Sequence, residues 1–399
     1  MNTYDFLVIG GGIVGLGIAR ELKSRYQDSK ITIIEKESAT GLHASGRNSG
    51  VLHAGFYYTA DSLKARFTRD GNRLLTEYCK QKNIKLNQCG KLVVAKNESE
   101  DLMLDELMRR GKKNGVPLEM LDKSQAQSIE PKIKTLRRAI FSPTTSTADP
   151  CAVIKAVEAD AKSEGIEIHF DQAYKSGTNK NIKTTSDEYS AAYVINCAGL
   201  YADHIAKQFD FSKHYAILPF KGLYLKSNEP AGTYRTNIYP VPDLDNPFLG
   251  VHFTIKVDGT AKIGPTAIPA LWREQYKGLS RFQLNELTDI AVRSMGLLLK
   301  SDFDFKRIAA TEILKYSRRR MVSLAKDLVQ EINHKAYKEW AKPGIRAQLV
   351  DLKKRKLEMD FVLESDDQSM HVLNAVSPGW TCSIPFSAYV VDEITRSIN

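Results

Sequence analysis

The amino-acid sequence predicts an α/β domain with a parallel sheet, joined to a second, α+β domain with a mostly antiparallel sheet. Three observations lead to this fold class. The length of 399 residues suits two domains, at roughly 100–200 residues each. The chain opens with a strand, a glycine-rich turn, a helix and a second strand, which together form a βαβ unit. Between residues 216 and 267, short alternating strands replace this pattern and indicate an antiparallel sheet.

Hydrophobic periodicity places the elements of the first half of the chain. Residues 4–9 are dense in β-branched and aromatic side chains, and Ile13, Leu16 and Ala19 repeat on one helical face. Asp149 and Pro150 are typical of a helix N-cap and first turn. We predict strands at 4–9, 31–35, 90–95, 166–170 and 192–196, and helices at 13–25, 62–82, 99–113 and 150–163.

The second half combines hairpin strands with helices. An Asp258-Gly259 turn connects predicted strands at 253–257 and 261–264, because Asp-Gly favours a tight hairpin. Helices are predicted at 281–300, 319–332 and 385–397, and a strand at 371–375. We expect one domain over 1–85, 145–215 and 340–399, and the other over 86–144 and 216–339. The reaction site should lie between them, where ligand clefts are common.

Composition excludes several classes of protein. A hydrophobic share of 42% excludes a largely disordered chain, and no run of about 18 apolar residues is available for a spanning helix. The apolar stretch at 6–19 lacks a basic leader and is rich in glycine, so we interpret it as structure rather than as a signal peptide. The five cysteines show no CxxC spacing, so we predict neither disulfides nor a metal site and expect a cytoplasmic location.

The formal net charge of +10 suits an anionic partner, namely nucleic acid, a lipid surface or an acidic substrate. The basic runs at 132–138, 318–320 and 353–356 are short and lack interleaved aromatic residues, so we predict no nucleic-acid binding. Solvated helix faces are the favoured interpretation of these runs. A peripheral contact with the inner face of a membrane is the second interpretation.

The motif Gly10-x-Gly12-x-x-Gly15 follows a strand and opens a helix. Gly10 permits a tight turn, Gly12 lets a pyrophosphate approach the backbone, and Gly15 lets helix and strand pack closely. The helix N-terminus then offers free N–H groups to the phosphates. Glu35, at the end of the second strand, provides a carboxylate for ribose hydroxyls and disfavours the 2′-phosphate of NADP. These features leave FAD and NAD open.

A wider set of motifs resembles the FAD-dependent oxidoreductases of the D-amino-acid-oxidase type. Within that superfamily the chain is most similar to the L-2-hydroxyglutarate dehydrogenase/oxidase family, and the segments RNSGVLHAGFYY and GVHFTIKVDGTAKIGP are the most family-specific. The matching segments are DFLVIGGGIVGLGIA (5–19), SGRNSGVLHAGFYY (45–58), GKLVVA (90–95), VINCAGLYAD (194–203), PFKGLYL (219–225), GVHFTIKVDGTAKIGP (250–265), GIRAQLVD (344–351) and HVLNAVSPGWT (371–381).

The resemblance implies that FAD is the cofactor and that a Rossmann-like domain holds it. The glycine motif would hold the ADP half, the loop at 47–49 the pyrophosphate and flavin, and the loop at 377–381 the pyrimidine edge of the flavin. Trp380, Thr381 and Cys382 stand where the family more often has small residues. The residues implied to bind FAD are Gly10, Gly12, Ile13, Val14, Gly15, Glu35, Lys36, Arg47, Asn48, Ser49, Ala173, Ala198, Gly199, Ser377, Pro378, Gly379, Trp380 and Thr381.

Oxidation of a 2-hydroxy acid requires a base for the hydroxyl proton and cations for the carboxylates. His53 and His252 lie in the family-specific segments, and histidine titrates near neutral pH, so we predict His53 first and His252 second as the base. Arg346 is the leading carboxylate clamp, because a guanidinium binds carboxylates in a bidentate manner. Lys221 and Tyr57 are further candidates for substrate binding.

The resemblance implies a flavoprotein dehydrogenase or oxidase that converts L-2-hydroxyglutarate, or a close 2-hydroxy acid, to the 2-oxo acid by hydride transfer to flavin N5. One alternative is an FAD enzyme acting on another small anion, such as glycerol 3-phosphate or an amino acid. Two others are a flavin-binding module without turnover and an NAD-dependent dehydrogenase. The electron acceptor would be oxygen or a membrane quinone.

Overall fold

The computed structural model describes residues 2–178, 180–243, 249–300 and 305–398. The helices are α1 (Ile13–Arg25), α2 (Leu63–Gln81), α3 (Glu98–Lys113), α4 (Lys123–Ile129), α5 (Pro150–Ser163), α6 (Ala202–Gln208), α7 (Leu284–Lys300), α8 (Phe305–Leu314), α9 (Arg318–Lys326) and α10 (Ser383–Ile398). The strands are β1 (Asn2–Ile9), β2 (Ile31–Ile34), β3 (Val51–Leu52), β4 (Leu86–Asn87), β5 (Lys91–Val94), β6 (Glu119–Asp122), β7 (Arg138–Ser142), β8 (Ser146–Ala148), β9 (Glu167–His169), β10 (Tyr174–Gly177), β11 (Asn181–Thr184), β12 (Glu188–Asn196), β13 (Tyr215–Gly222), β14 (Leu225–Lys226), β15 (Asn237–Pro240), β16 (His252–Ile255), β17 (Ala261–Gly264), β18 (Ile268–Pro269), β19 (Glu339–Trp340), β20 (Gly344–Asp351), β21 (Lys356–Leu357), β22 (Val362–Ser365) and β23 (Ser369–Asn374).

The first sheet carries the glycine motif at the ends of its central strands. Its order is β10-β11-β12-β1-β2-β9, with β23 beside β12 and β22 beside β23. Strand β1 runs parallel to β2 and β12, with Ile9 opposite Ile34 and Asn196. The carboxyl ends of these three strands therefore meet at one edge, where Gly10 and Glu35 follow them directly. In open α/β sheets this edge is where ligands bind.

Helices α1, α2, α5 and α10 pack with this sheet around one apolar core. Helix α1 has the predicted bounds, and its periodic positions Ile13, Leu16, Ala19 and Leu22 are buried. The apolar face of α1 therefore holds the helix against the sheet with its N-terminus at the glycine turn. This confirms the predicted βαβ unit.

The two faces of the second sheet differ in character over β15–β17, whereas β5 and β7 carry apolar side chains on both faces. Its order is β19-β14-β17-β16-β15-β5-β7-β6, and every pairing is antiparallel except that of β5 with β15. One face is apolar and packs against α9. The register places polar side chains on the other face, because side chains alternate along a strand. The polar residues on this face include Lys91, Asn237, Tyr239, His252, Thr254 and Lys262.

A third sheet, with the order β18-β13-β20-β21, links segments that the sequence assigned to different domains. Strand β20 lies after the predicted boundary near residue 340, yet it pairs antiparallel with β13 from Asp351 opposite Tyr215 to Gly344 opposite Gly222. A small sheet with the order β3-β8-β4 is connected to the end of β16 by side-chain hydrogen bonds. The division into two domains stays a prediction.

Several helix boundaries differ from the predicted ones. The helix predicted at 281–300 begins at Leu284, because Arg281 has a φ of 54°, outside the helical region. The helix predicted at 319–332 ends at Lys326, since Val329 forms a β-bridge with Ile133 instead. Helices α4, α6 and α8 were not predicted. The five cysteines are free, and no helix in the described ranges is long and apolar enough to cross a bilayer.

Candidate active site

The glycine turn at the end of β1 requires glycine at two positions. Gly10 has a φ of 112°, and a Cβ there would lie 2.6 Å from the Cys197 carbonyl oxygen. A Cβ on Gly15 would collide with the Gly10 carbonyl oxygen and press on Val8. The turn and the close approach of α1 to β1 therefore depend on the absence of side chains at Gly10 and Gly15.

The N-terminus of α1 keeps backbone donors available for an anion. The Ile13 N–H donates to Ser45 Oγ at 3.0 Å. Within the described ranges, the N–H groups of Gly12 and Val14 have no acceptor. Free N–H groups and the positive end of the helix dipole together suit a diphosphate.

The Glu35 carboxylate is held in place beside this turn. It accepts hydrogen bonds from the Gly11 N–H at 2.7 Å and from the Glu37 N–H at 3.0 Å. Its side chain is buried, and burial raises its pKa, while the two backbone hydrogen bonds oppose that rise. Each carboxylate oxygen keeps further acceptor capacity, so Glu35 can accept a ribose hydroxyl.

A cavity of about 860 Å³ runs from the glycine turn to the polar face of the second sheet. Its size and its free N–H donors fit a dinucleotide such as FAD, with the reactive end toward the second sheet. The predicted residues that line this cavity are Gly10, Gly12, Ile13, Val14, Glu35, Lys36, Arg47, Asn48, Ser49, His53, Ala173, Ala198, Gly199, His252, Arg346, Ser377, Pro378, Gly379, Trp380 and Thr381.

The loop at 47–49 is ordered by its own hydrogen bonds. Arg47 donates through Nε to the Leu42 carbonyl oxygen at 2.6 Å, and its guanidinium lies 4.3 Å from the centre of the Tyr276 ring. The Asn48 side chain donates to the Ser45 carbonyl oxygen at 2.6 Å. These contacts hold the loop along the cavity wall in front of α1.

The loop at 377–381 is tied to the strand before His53. Thr381 Oγ1 donates to the Val51 carbonyl oxygen at 3.2 Å and accepts from the His53 N–H at 3.2 Å. Trp380 lines the cavity with its side chain buried, and its indole N–H has no acceptor in the described ranges. The two loops at 47–49 and 377–381 both line the cavity.

Two predicted cofactor residues already have protein partners. Thr185 accepts from the Ala173 N–H at 3.2 Å and donates its own N–H to the Ala173 carbonyl oxygen at 2.9 Å. Lys36 pairs with Glu274 and lies 4.9 Å from the centre of the Tyr201 ring. A contact from Ala173 to adenine would therefore use the second lone pair of its carbonyl.

His252 is held in one orientation in the cavity wall. Its Nδ1 lies 2.8 Å from the Gly250 carbonyl oxygen, which requires a proton on Nδ1. Its ring stacks on Tyr239 with centroids 3.7 Å apart. Burial lowers its pKa to about 3, so the ring is neutral and Nε2 carries the lone pair that can accept a proton.

His53 lies at the end of β3 and faces the same cavity. Burial, together with the positive charges of Lys91 and Arg346, lowers its pKa to about 3. No group in the described ranges hydrogen-bonds its ring. His53 is therefore also neutral at physiological pH, with both ring nitrogens available to a ligand.

Arg346 projects into the cavity from β20. Burial lowers its pKa, whereas Tyr58, Tyr224 and Glu312 favour its charged form. Arginine stays protonated even when buried, so Arg346 places a fixed positive charge in the cavity.

The structure does not place Lys221 or Tyr57 in the cavity lining. On β13 the residues flanking Lys221, namely Phe220 and Gly222, line the cavity, so Lys221 projects from the opposite face of the strand. The Tyr57 ring packs edge-on against Phe56. Neither side chain is positioned to bind substrate directly, because strand alternation and core packing direct both away from the cavity. Gly15 also lies outside the lining, since its role is to let α1 approach β1.

On the polar face of the second sheet, sequence reasoning identified His252 but missed its other cavity residues. Tyr224 and Tyr239 line the cavity. Lys262 donates to the Ser49 carbonyl oxygen at 3.1 Å and lies 4.6 Å from the centre of the Tyr224 ring. The alternation of polar and apolar residues in β15, β16 and β17 was the available signal.

A charged cluster lies at the rim of the cavity. Glu37, His43 and Glu274 bring their ligand atoms within 4.8 Å of one another. Lys36 and Arg281 pair with both carboxylates. The acidic charge is therefore already balanced by protein cations, which makes the cluster an ion-pair network rather than a metal site.

Comparison with known proteins places the chain in a family. A profile of the family described as "FAD dependent oxidoreductase" matches residues 5–393. Among reviewed relatives, the mitochondrial L-2-hydroxyglutarate dehydrogenase of Nematostella vectensis is 36% identical over 98% of this chain and 90% of its own length. The L-2-hydroxyglutarate dehydrogenase of Escherichia coli strain K12 is 35% identical over 98% and 93%.

Solved structures show the same fold at lower sequence identity. An L-alpha-glycerophosphate oxidase from Mycoplasma pneumoniae with FAD bound superposes with a TM-score of 0.78 at 21% identity, covering 100% of this chain and 95% of that one. A glycine oxidase from Geobacillus kaustophilus gives 0.72 at 18%, covering 100% and 96%.

These comparisons decide between the cofactors that the glycine motif left open. The predicted FAD-dependent enzyme and the predicted fold class are confirmed, and the NAD-dependent and non-catalytic alternatives are set aside. The free N–H groups, the glycine turn and the placed Glu35 carboxylate fit this cofactor. The chain belongs to the family of FAD-dependent oxidoreductases, in which its relatives include the L-2-hydroxyglutarate dehydrogenases.

Proposed function

We propose that the protein oxidises L-2-hydroxyglutarate, or a close 2-hydroxy acid, to the corresponding 2-oxo acid. The observation that carries the proposal is that His53, His252 and Arg346 meet in one cavity with the dinucleotide-binding turn. Relatives at 35–36% identity over nearly the whole chain bear the name L-2-hydroxyglutarate dehydrogenase. Bound FAD supplies the two-electron acceptor for the hydride that leaves the substrate carbon.

The substrate must lose its hydroxyl proton as the hydride departs, which assigns a role to a neutral histidine. The geometry favours His252, because the Gly250 carbonyl fixes its tautomer and leaves Nε2 as the acceptor. The positive charges of Lys91 and Arg346 act on His53, the first candidate from the sequence. In that position His53 can hydrogen-bond the substrate hydroxyl or carboxylate.

Arg346 is proposed to bind the carboxylate beside the reacting carbon. Its guanidinium faces the cavity, and a bidentate pair with a carboxylate both orients and neutralises the substrate. The loops at 47–49 and 377–381 close the cavity around the FAD-binding residues. Thr381 fixes the wall next to His53 through its hydrogen bonds with the His53 N–H and the Val51 carbonyl oxygen.

Anaerobic reduction of the purified yellow protein tests the function. L-2-hydroxyglutarate should bleach the flavin absorbance within seconds. D-2-hydroxyglutarate serves as the stereochemical control and should bleach it far more slowly. Bleaching by glycerol 3-phosphate or an amino acid, without bleaching by L-2-hydroxyglutarate, would move the function elsewhere in the family.

Oxygen or a membrane quinone is proposed as the electron acceptor. The net charge of +10 and the exposed apolar side chains Leu279, Leu284, Val292 and Met295 support peripheral contact with anionic lipid. Reoxidation by a short-chain quinone should be compared with reoxidation by oxygen. Sedimentation with anionic vesicles at low and high salt tests the lipid contact. If the protein stays in the supernatant at both salt concentrations, the proposed lipid contact is wrong.

A further inference from the structure

Residues 274–283, between β18 and α7, lie at the end of the cavity that contains Glu35. Three residues of this segment, Arg281, Phe282 and Gln283, line the cavity. Because the Glu35 carboxylate can accept a ribose hydroxyl, this end of the cavity receives the ADP half of FAD. The 274–283 segment therefore adjoins the cofactor at the end opposite to the candidate catalytic histidines.

The guanidinium of Arg281 joins this segment to the βαβ unit. It donates through Nη2 to Glu37 Oε2 at 2.8 Å and through Nη1 to Glu274 Oε2 at 2.5 Å. Lys36 also pairs with both carboxylates. Glu37 follows β2, so the ion pairs connect the segment to the part of the chain that holds Glu35 in place. Arg281 has a φ of 54°, which is unfavourable for a residue with a side chain, and its ion pairs help to offset that strain.

Tyr276 provides a second contact, independent of the ion pairs. Its hydroxyl forms a hydrogen bond with His43 Nδ1 at 2.8 Å, and the centre of its ring lies 4.3 Å from the Arg47 guanidinium. His43 and Arg47 both line the cavity. Tyr276 and Arg281 thus hold the same segment at two separate points.

The segment is fixed at its ends and exposed in its middle. Arg273, just before it, forms a buried ion pair with Asp203, and Glu286 of α7 accepts the Arg273 N–H at 2.9 Å. Between these anchors, Leu279 is 79% exposed. Within the described ranges, the backbone-to-backbone hydrogen bonds of residues 277–282 stay among those residues. A segment with few contacts to the rest of the protein opens locally at a low cost in free energy.

We propose that the 274–283 segment is a gate for the cofactor: it closes over the ADP half of FAD and opens, by breaking the Arg281 and Tyr276 contacts, when FAD enters or leaves. Both contacts join protein groups and use no atom of FAD. They therefore favour the closed segment to the same extent whether or not FAD is bound, and their loss should accelerate entry and release together without changing the dissociation constant. The inference depends on the cofactor and not on the substrate.

The test measures the release and the affinity of FAD, starting from the holoenzyme. Holoenzyme that carries radiolabelled FAD is chased with excess unlabelled FAD, and the loss of protein-bound label gives the release rate constant. A dilution series of the holoenzyme, followed by flavin fluorescence, gives the dissociation constant. Arg281→Met and Tyr276→Phe should each raise the release rate constant about threefold to tenfold and change the dissociation constant by less than about twofold.

Arg138→Met is the matched control, because Arg138 also bridges two carboxylates but lies on β7, outside the cavity lining. It should leave both constants at their wild-type values. Arg281→Met leaves the carboxylates of the rim paired with Lys36, so no buried charge loses all its partners. If Arg281→Met nevertheless fails to retain FAD, Tyr276→Phe decides, because it removes only a hydroxyl group.

An unchanged release rate constant in either FAD-retaining variant would overturn the gate. A rise in the dissociation constant equal to the rise in the release rate constant would also overturn it, because the side chains would then bind FAD directly. Salt supplies a further check. High salt should reduce the difference in release rate between the wild type and Arg281→Met, since screening weakens the exposed ion pairs, and a difference that salt leaves unchanged would contradict their role.

Discussion

The two cavity histidines illustrate how burial keeps an imidazole neutral at physiological pH while making it a weaker base. Both His53 and His252 have a pKa lowered to about 3 by desolvation, so neither needs to lose a proton before it can accept one. Only His252 has a tautomer held by the protein, through Gly250. Its place in a family-specific segment favoured His53 as the base. The hydrogen bond from its Nδ1 to the Gly250 carbonyl oxygen favours His252 instead.

The comparison of His252→Ala with His53→Ala tests this assignment. Loss of the proton acceptor should slow anaerobic flavin reduction by about 10²–10⁴-fold, the usual contribution of a general base. Flavin content and far-ultraviolet circular dichroism serve as controls for folding. We expect the larger loss in His252→Ala, and a loss below tenfold in both variants would remove histidine from the role.

The pH dependence of the wild-type enzyme follows from the same two pKa values. A histidine with a pKa near its ordinary value of about 6.5 would lose its base form below that pH. Because the pKa values of His53 and His252 are lowered to about 3, the base form persists to much lower pH. The rate constant of flavin reduction should therefore show no histidine-like fall between pH 8 and pH 5.5, and a fall centred near pH 6.5 would contradict the assignment.

Glu35 provides a prediction for the binding of FAD. Its carboxylate is placed by the N–H groups of Gly11 and Glu37, and hydrogen bonds to a charged group contribute about 1.5–3 kcal/mol. Glu35→Ala should therefore weaken FAD binding by about one to two orders of magnitude, measured by fluorescence titration of the deflavinated protein. Glu37→Gln is the control at the cavity rim, and an equal effect there would contradict a specific role for Glu35.

At the scale of elements, local signals determined most helix starts. Asp149 accepts from the Cys151 N–H at 2.9 Å and caps α5, which begins at Pro150. Ser62 caps α2 in the same way, by accepting from the Ala65 N–H. The misplaced helix ends have tertiary causes, since Val329 leaves the helical pattern to pair with Ile133.

The cap of α5 provides a stability prediction. Asp149→Ala should lower the free energy of unfolding by about 1 kcal/mol, because the Cys151 N–H loses its acceptor. Asp149→Asn retains a side-chain oxygen and should stay close to wild type. Urea unfolding of the holoprotein measures both, and equal losses in the two variants would show that the cap does not contribute.

At the scale of the whole molecule, buried neutral histidines make stability depend on pH. The pKa values of His43 and His371 are lowered to about 4, and those of His53 and His252 to about 3. In the unfolded chain histidine has a pKa of about 6.5. Below that pH the unfolded state binds more protons than the folded state, so stability falls as the pH falls.

This linkage predicts a decline in the free energy of unfolding from pH 6.5 toward pH 4. Each fully suppressed histidine contributes up to about 1.4 kcal/mol per pH unit. His371→Gln removes one such group outside the cavity and should reduce the slope. Thermal melts of the holoprotein at several pH values measure this, and a melting temperature unchanged between pH 7 and pH 5 would contradict it.

The sequence alone was sufficient for the parts of the site that depend on local geometry. The glycine turn, the helix that follows it and Glu35 are all contained in one βαβ unit, where chain neighbours are also spatial neighbours. Motifs likewise located the segments that carry His53, His252 and Arg346. Lys221 was selected by the same route, but strand alternation directs its side chain away from the cavity.

The tertiary structure decided which side chains face one another across the cavity. Arg346 comes from the third sheet, His252 from the second and His53 from the end of β3, and their convergence depends on strand register and sheet packing. In the sequence, Lys91 is an ordinary polar residue. Only the fold surrounds its ammonium with the rings of Phe56, Tyr57 and Tyr239. The physical reason is that backbone propensity acts between near neighbours in the chain, whereas burial and charge act between residues that only the packed sheets bring together.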